Sequence, residues 1–268
     1  MTQEEREKHK ADDHNAIVGD LDKEDGYQCD ACKNRGNIAV VSKNEMFGYY
    51  TYSLIDCKCC RVRNAIRRLN RSGLKNRVKS CTFERYEVQD AWQKTIKDTA
   101  MRFAAGSGND WFFFGGQSGA GKTHICTAVA IAKLKQGREL RYMEWREEVP
   151  KIKACINEAA VYAEMMQELK TVDVLYIDDL FKVGKRPDGE IPMPTQGDIN
   201  LAFEIINYRS SQPELITIIS TERTLDELVE IDEAIAGRIA ERSKDNGYCI
   251  NLSRDAKKNW RMRGMVNL

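Results

Sequence analysis

Residues 112–124 read FFFGGQSGAGKTH, an apolar run that enters a glycine-rich turn and leaves it on Lys122 and Thr123. Gly116, Gly119, Gly121, Lys122 and Thr123 have the spacing G-x-x-x-x-G-K-[ST]. Few folds satisfy that pattern. A buried strand must deliver the chain into a loop whose backbone N–H groups curl inward, and a helix must begin at once so that its positive end joins the same anion site. The run WFFF, residues 111–114, supplies the strand, and Ile125, Ala128, Val129 and Ala132 follow at helical spacing. The pattern therefore predicts a nucleotide held by its phosphates, ATP in the first instance. Lys122 would reach the β- and γ-phosphates and Thr123 would offer its hydroxyl to Mg²⁺. The residues counted with the nucleotide are Gly116, Gln117, Ser118, Gly119, Ala120, Gly121, Lys122, Thr123 and His124, the last read as packing beside the loop.

A phosphate loop needs a carboxylate. VDVLYIDDLF places Asp178 and Asp179 at the end of an apolar strand, where ligands of open α/β sheets bind. Asp178 is expected to hold Mg²⁺ and Asp179 to polarise the attacking water; Asp is one methylene shorter than the Glu many ATPases carry there. The strand LITIIST ends in Ser220, Thr221 and Glu222, any of which is a candidate to meet the γ-phosphate or the water; Thr221 is counted with the nucleotide. Thr224 and Glu227 form a capping-box pattern after it.

Around the loop, strand-like runs at 111–115, 139–144, 172–177, 215–220 and 247–252 alternate with helical patterns at 121–136, 151–170, 198–210 and 224–243. This alternation predicts an α/β domain over 81–268, a parallel five-stranded sheet flanked by helices. Residues 182–197, with three of the five prolines, read as an insertion. After the last strand only residues 253–268 remain, too few for a C-terminal helical lid.

Ahead of this domain lies a different composition. Residues 1–24 read as a polar helical lead, and 25–60 hold five of the nine cysteines. Cys29 and Cys32 form one close pair, with Cys57, Cys59 and Cys60 as the second group. Two thiolate pairs across a short hairpin suit a tetrahedral structural Zn²⁺, with metal supplying stability that so small a core lacks. Cys59 is the expected fourth ligand and Cys60 the alternative. Cys81, Cys126, Cys155 and Cys249 read as packing residues, and His9 and His14 as solvated. Residues 61–80 form a basic helical linker carrying Arg61, Arg63, Arg67, Arg68, Arg71, Lys75, Arg77 and Lys79 with no acid among 61–79. Lys151 and Lys153 are further candidates to meet DNA.

The net charge is only +1, which excludes a globally basic nucleic-acid binder. No apolar run approaches the ~20 residues of a membrane span, so no membrane partner is expected. MTQEEREKHKADDH has no apolar core of a secretory signal, so the thiols are expected reduced, in the cytoplasm.

In GQSGAGKTH, YIDDLFK, DINLAFEIINYR, IISTERTLDELVEIDEAIAGRI and NWRMR, taken in order, the chain resembles the AAA+ ATPases of the DnaC/DnaI-type replicative helicase loaders, in the version common in phages and mobile elements. The resemblance implies Mg²⁺-dependent ATP hydrolysis that is slow until the protein assembles with helicase and DNA. It implies docking of residues 1–60 on a hexameric replicative helicase, contact with single-stranded DNA, and self-association through the ATPase domain. It also implies an arginine acting on the neighbour's nucleotide. Arg242 is the first candidate, with Arg238 one turn earlier in support, and Arg261, or Arg263, resembles the arginine that touches phosphate in cis. A transposition-accessory ATPase of the IstB-like type is the alternative. A small-molecule kinase would need an acceptor pocket and a lid, neither of which is legible, and a non-hydrolysing nucleotide-gated module remains open through Asp179.

Overall fold

The computed structural model describes residues 1–71, 80–183, 192–255 and 258–260, without the side chains of residues 65, 68, 69 and 71. The chain divides into two compact units, Met1–Arg67 and Arg68–Leu268. Among the described residues no helix is long and apolar enough to cross a membrane.

The first unit opens with α1 (Gln3–Ala16), which is regular from its first turn because Thr2 and Glu5 cap each other's N–H groups. A short α2 (Leu21–Asp25) follows, then an antiparallel hairpin of β1 (Asn37–Lys43) and β2 (Tyr50–Asp56), in register from Asn37↔Asp56 to Lys43↔Tyr50. Asn15 ties α1 to the hairpin by bonding both polar groups of Ala39, its amide donating to the carbonyl at 3.0 Å and its oxygen accepting from the N–H at 2.9 Å. His14 is not solvated; it bonds Asn37 at 2.7 Å and Tyr52 at 3.3 Å. The helix α3 (Cys59–Arg71) starts inside this unit. The buried centre of the unit is thiol rather than hydrocarbon: Cys32, Cys57 and Cys59, with Tyr27 and Ile38 against them.

The second unit is a five-stranded parallel sheet of β3 (Phe112–Gly116), β4 (Leu140–Glu144), β5 (Val174–Asp178), β6 (Ile216–Thr221) and β7 (Cys249–Leu252), in the order β4-β5-β6-β3-β7. Strands this apolar, with every residue of β3, β5 and β6 buried, require cover on both faces. Phe113, Met143, Leu175, Ile177 and Ile219 point into one core with α7 (Ala159–Thr171), α8 (Gln196–Ser210), α9 (Leu225–Ile231) and α10 (Glu233–Ser243). Phe112 packs at 5.2 Å on Phe103 of α4 (Ala91–Ala105), which lies against α5 (Lys122–Lys135). The order places β6 between the phosphate-loop strand β3 and the acid-bearing strand β5, so three strand ends converge on one cleft.

Three helical expectations need correction. The run 151–170 is two helices, α6 (Trp145–Ala154) and α7, parted at residues 155–158. The run 224–243 is also two, because Asp232 ends α9 and then caps α10 by accepting from the Ile235 N–H at 2.8 Å. The helix α4 was not anticipated, although Asp90 and Gln93 mark its start as a capping box. Gly73, Lys75, Arg77, Lys79 and most of the proline-rich insertion lie outside the described residues.

Candidate nucleotide site and thiol cluster

At the end of β3 the chain turns away through conformations that need glycine. Gly116 has φ +130°, and a Cβ there would lie 2.4 Å from the Leu252 carbonyl. Gly121 has φ +81° and precedes Lys122, the first residue of α5; its missing Cβ leaves room for the Tyr86 ring, which would stand 2.8 Å away. The loop is thus a cradle any larger side chain would fill. Lys122 is almost buried and donates to the Gln117 carbonyl at 2.8 Å, and burial lowers its pKa.

The cleft above the loop is a cavity of about 510 Å³. It is lined by the loop from Ser118 to His124, by Glu144, Asp179, Lys182 and Glu222, and by the rings of Tyr86, Trp92 and Trp260. Asp178 sits beneath. Its carboxylate accepts from the hydroxyls of Tyr176 at 2.9 Å, Tyr142 at 3.0 Å, Thr123 at 3.2 Å and Ser220. Burial, and after it the Asp178 charge, holds the Tyr176 phenol well above its usual pKa, so it remains a neutral donor. An acidic oxygen of Asp178 and the Thr123 hydroxyl in contact make an oxygen pair suited to Mg²⁺.

The two other acids are held differently. Asp179 has a left-handed backbone, φ +59°, and pairs with Lys182 at 2.7 Å. Glu222 meets the same Lys182 at 3.3 Å; burial resists its ionisation, but Lys182 and Lys122 outweigh that and lower its pKa. Of the three polar residues ending β6, then, Glu222 faces the cavity. Thr221 does not: it is fully buried, donates to the Leu180 carbonyl at 2.8 Å and accepts from the Arg223 N–H at 3.1 Å. His124 lines the cavity while bonded to the Thr82 carbonyl at 2.8 Å.

The segment after β7 returns to the loop. The Gln117 side chain exchanges two hydrogen bonds with the Asp255 backbone, at 2.8 and 2.6 Å, and the Trp260 N–H donates to the Gly119 carbonyl at 2.9 Å. Arg261 and Arg263 lie outside the described residues.

The two arginines of α10 stand in different surroundings. Arg242 donates to the carbonyls of Asn109, Ser210, Gln212, Pro213 and Leu215 and lies 5.4 Å from the Trp111 ring. All of those partners lie within its own chain, where the guanidinium ties α10 to the start of β3 and β6. Among the described residues Arg238 makes one hydrogen bond, to the Ala234 carbonyl at 2.9 Å; it stacks on Phe203 and lines an open surface. Lys153 is also committed, to Asp198 at 2.6 Å.

In the first unit the sulfur atoms of Cys29, Cys32, Cys57 and Cys59 all lie within 4.8 Å of one another. The Cys29–Cys57 and Cys32–Cys59 separations are 3.8 and 3.5 Å, against about 3.8 Å between thiolates each ~2.3 Å from one tetrahedral ion. Cys60 turns away and donates to the Gly36 carbonyl at 2.9 Å. Around the cluster, the Gly36 N–H reaches Cys32 Sγ at 3.4 Å, and Arg63, buried, bonds Asp25 and Asn34 at 2.7 Å each. Four thiols at this spacing are the donor set of a structural zinc, and the cluster is compatible with one.

Sequence reasoning did not single out Tyr86, Trp92 or Lys182. Tyr86 lies on a segment with no strand or helix period, Trp92 lies in the first turn of the unanticipated helix α4, and Lys182 follows the acid pair in a turn. Cys81, expected in the core, lines the cavity.

Known proteins place this geometry. A relative in Bacillus subtilis, the phage-like element PBSX protein XkdC, is 28% identical over 236 residues, 82% of this chain and 80% of its own. The replicative helicase loader DnaC of Escherichia coli is 27% identical over 117 residues, 42% of this chain, and the match spans about half, 48%, of its length. A crystal structure of DnaI shares the fold, with a TM-score of 0.51 at 18% identity, over 68% of this chain and 93% of that one. The sequence profile of the IstB-like ATP binding proteins matches residues 54–255, and the chain belongs to that family.

Proposed function

We propose that this protein is an ATP-regulated loader that delivers a hexameric replicative helicase onto single-stranded DNA. The observation that carries the reading is the similarity to the replicative helicase loader DnaC in a chain that joins a phosphate-loop cleft to a separate thiol module. The first unit would dock on the helicase, with Zn²⁺ held by Cys29, Cys32, Cys57 and Cys59. Residues 81–268 would form the ATPase and residues 61–80 a basic link. Arg63 and Arg67 of that stretch are paired with Asp25 and Glu24. The protein would work in the cytoplasm and associate with copies of itself.

Magnesium-bound ATP supplies the phosphoanhydride bond whose cleavage changes the state of the assembly. Lys122 would exchange the Gln117 carbonyl for phosphate oxygens, Thr123 and Asp178 would hold Mg²⁺, and Asp179 would orient water once Lys182 releases it. Arg238 of a neighbouring copy would neutralise charge on the transferring group, so the isolated chain would turn ATP over slowly.

The test is a pull-down of candidate hexameric helicases by the full chain, with and without ATP, alongside loading of the captured helicase on a labelled single strand. Wild type is expected to capture and load. Lys122→Ala is expected to capture without ATP-dependent loading. Loss of capture by Lys122→Ala would contradict the division of labour between the units. The family match favours a second reading, a transposition-accessory ATPase acting on DNA with a transposase. Capture of a transposase and of no helicase would select it.

A further inference from the structure

The turn after β5 is built against the preferences of its residues. Asp179 and Phe181 are both left-handed, φ +59° and +58°, and neither is glycine. Such a turn persists only where its surroundings fix it, and here they do. The Asp179 N–H donates to Ser220 Oγ at 3.0 Å, the Leu180 N–H to the Ser220 carbonyl at 2.9 Å, and the Lys182 N–H to the Asp179 carbonyl at 2.9 Å. Thr221 holds the Leu180 carbonyl, and the side chains of Leu180 and Phe181 are buried. The result is that Lys182 doubles back into the cavity, its ammonium between Asp179 and Glu222.

We propose that Lys182 is a second phosphate-reading lysine, parked between Asp179 and Glu222 and exchanging these carboxylates for the terminal phosphate of a bound nucleoside triphosphate. Two carboxylates on the wall of an anion site repel the anion unless a cation stands between. Lys182 is placed as that cation, and Asp179 and Glu222 hold its pKa above the ordinary lysine value against the opposing effect of burial. Its flexible four-carbon stem is partly exposed, so the ammonium can swing without moving the turn. A diphosphate leaves it parked on Asp179. A triphosphate draws it off and frees Asp179 for water. Lys182 thereby senses the phosphate that distinguishes ATP from ADP.

This inference rests on the nucleotide reading of the cavity. The test is calorimetric titration of the full chain with Mg²⁺–AMP-PNP and with Mg²⁺–ADP, for wild type, Lys182→Met and Lys182→Arg, with a thermal melt of each. Lys182→Met is expected to lose roughly tenfold in affinity for AMP-PNP, the scale of one charge-assisted hydrogen bond, with ADP affinity unchanged. Lys182→Arg is expected to recover most of the loss. Equal effects on both nucleotides, or none, with wild-type binding intact, would overturn the role of Lys182 alone. Failure of wild type to bind either nucleotide would overturn the reading of the cavity and this inference with it.

Discussion

Thr123 Oγ1 lies 3.2 Å from Asp178 Oδ1, although 55 residues separate them. One lies in the first turn of the helix after the phosphate loop and the other ends a strand two places across the sheet. The contact is a consequence of the strand order, which brings both ends to one edge. On the proposed function, it makes Asp178 the residue on which Mg²⁺ binding would depend. Asp178→Asn removes the charge while keeping the shape that Tyr142, Tyr176 and Ser220 hold. Turnover of Mg²⁺–ATP is expected to fall about 100-fold or more, on the scale of several kcal/mol that a metal supplies. Nucleotide binding without Mg²⁺ is expected to persist. A steady-state ATPase assay beside nucleotide binding in EDTA checks both; retained turnover would remove Asp178 from the metal site.

Much of this was legible before any coordinates. Periodicity marked all five parallel strands to within two residues, because fully buried strands leave uninterrupted apolar runs such as FFF and VLYI. The loop was legible because its glycines answer to geometry. What the sequence did not yield depends on long-range contacts. Nothing local to GRIAER distinguishes Arg242, which meets five carbonyls in its own chain, from Arg238, which meets one. Thr221 and Glu222 are adjacent, and only the direction of each side chain at the end of β6 sends one inward and the other to the cavity.

Tyr86 is 6% exposed, lines the nucleotide cavity, and its hydroxyl has no partner among the described residues. A buried unpaired hydroxyl is costly, so it is best explained as waiting for the nucleotide. Its ring lies against Gly121 and 5.4 Å from His124, at the start of α5, so the bond it makes should be common to ATP and ADP. Tyr86→Phe is expected to weaken both by roughly 5–10-fold, the worth of one hydrogen bond, without lowering the thermal midpoint of the nucleotide-free protein. Unchanged affinity would mean the hydroxyl is merely orphaned.

The thiol cluster predicts a sharp difference between neighbours. Cys59 faces the other three sulfurs, and Cys60 faces the Gly36 carbonyl. The purified full chain is expected to carry about one zinc, reduced severely by Cys59→Ser and retained in Cys60→Ser. Chelation should expose the β1 and β2 amides to hydrogen exchange, since the first unit has a thiol centre and little hydrocarbon to replace the metal. Metal analysis of the three proteins decides; zinc lost from Cys60→Ser and kept in Cys59→Ser would invert the ligand set.

The two arginines of α10 separate folding from assembly. Removing Arg242 leaves the carbonyls of Asn109, Ser210 and Pro213 without their donor, takes one of two donors from those of Gln212 and Leu215, and uncovers Trp111. That should cost about 2–4 kcal/mol and lower the midpoint of melting by roughly 5–10 °C in a domain of this size. Arg238→Ala gives up one helical bond and a stack on Phe203, so its melt should stay within about 2 °C of wild type. If Arg238 serves a neighbour's nucleotide, its loss should leave single-chain binding intact. Turnover of the assembly with helicase and single-stranded DNA should drop about 1000-fold. The decisive observation is mixing: Arg238→Ala copies, whole in their own phosphate loop, should recover turnover when combined with Lys122→Ala copies, which still carry Arg238. Absence of that rescue would return Arg238 to the surface of its own subunit.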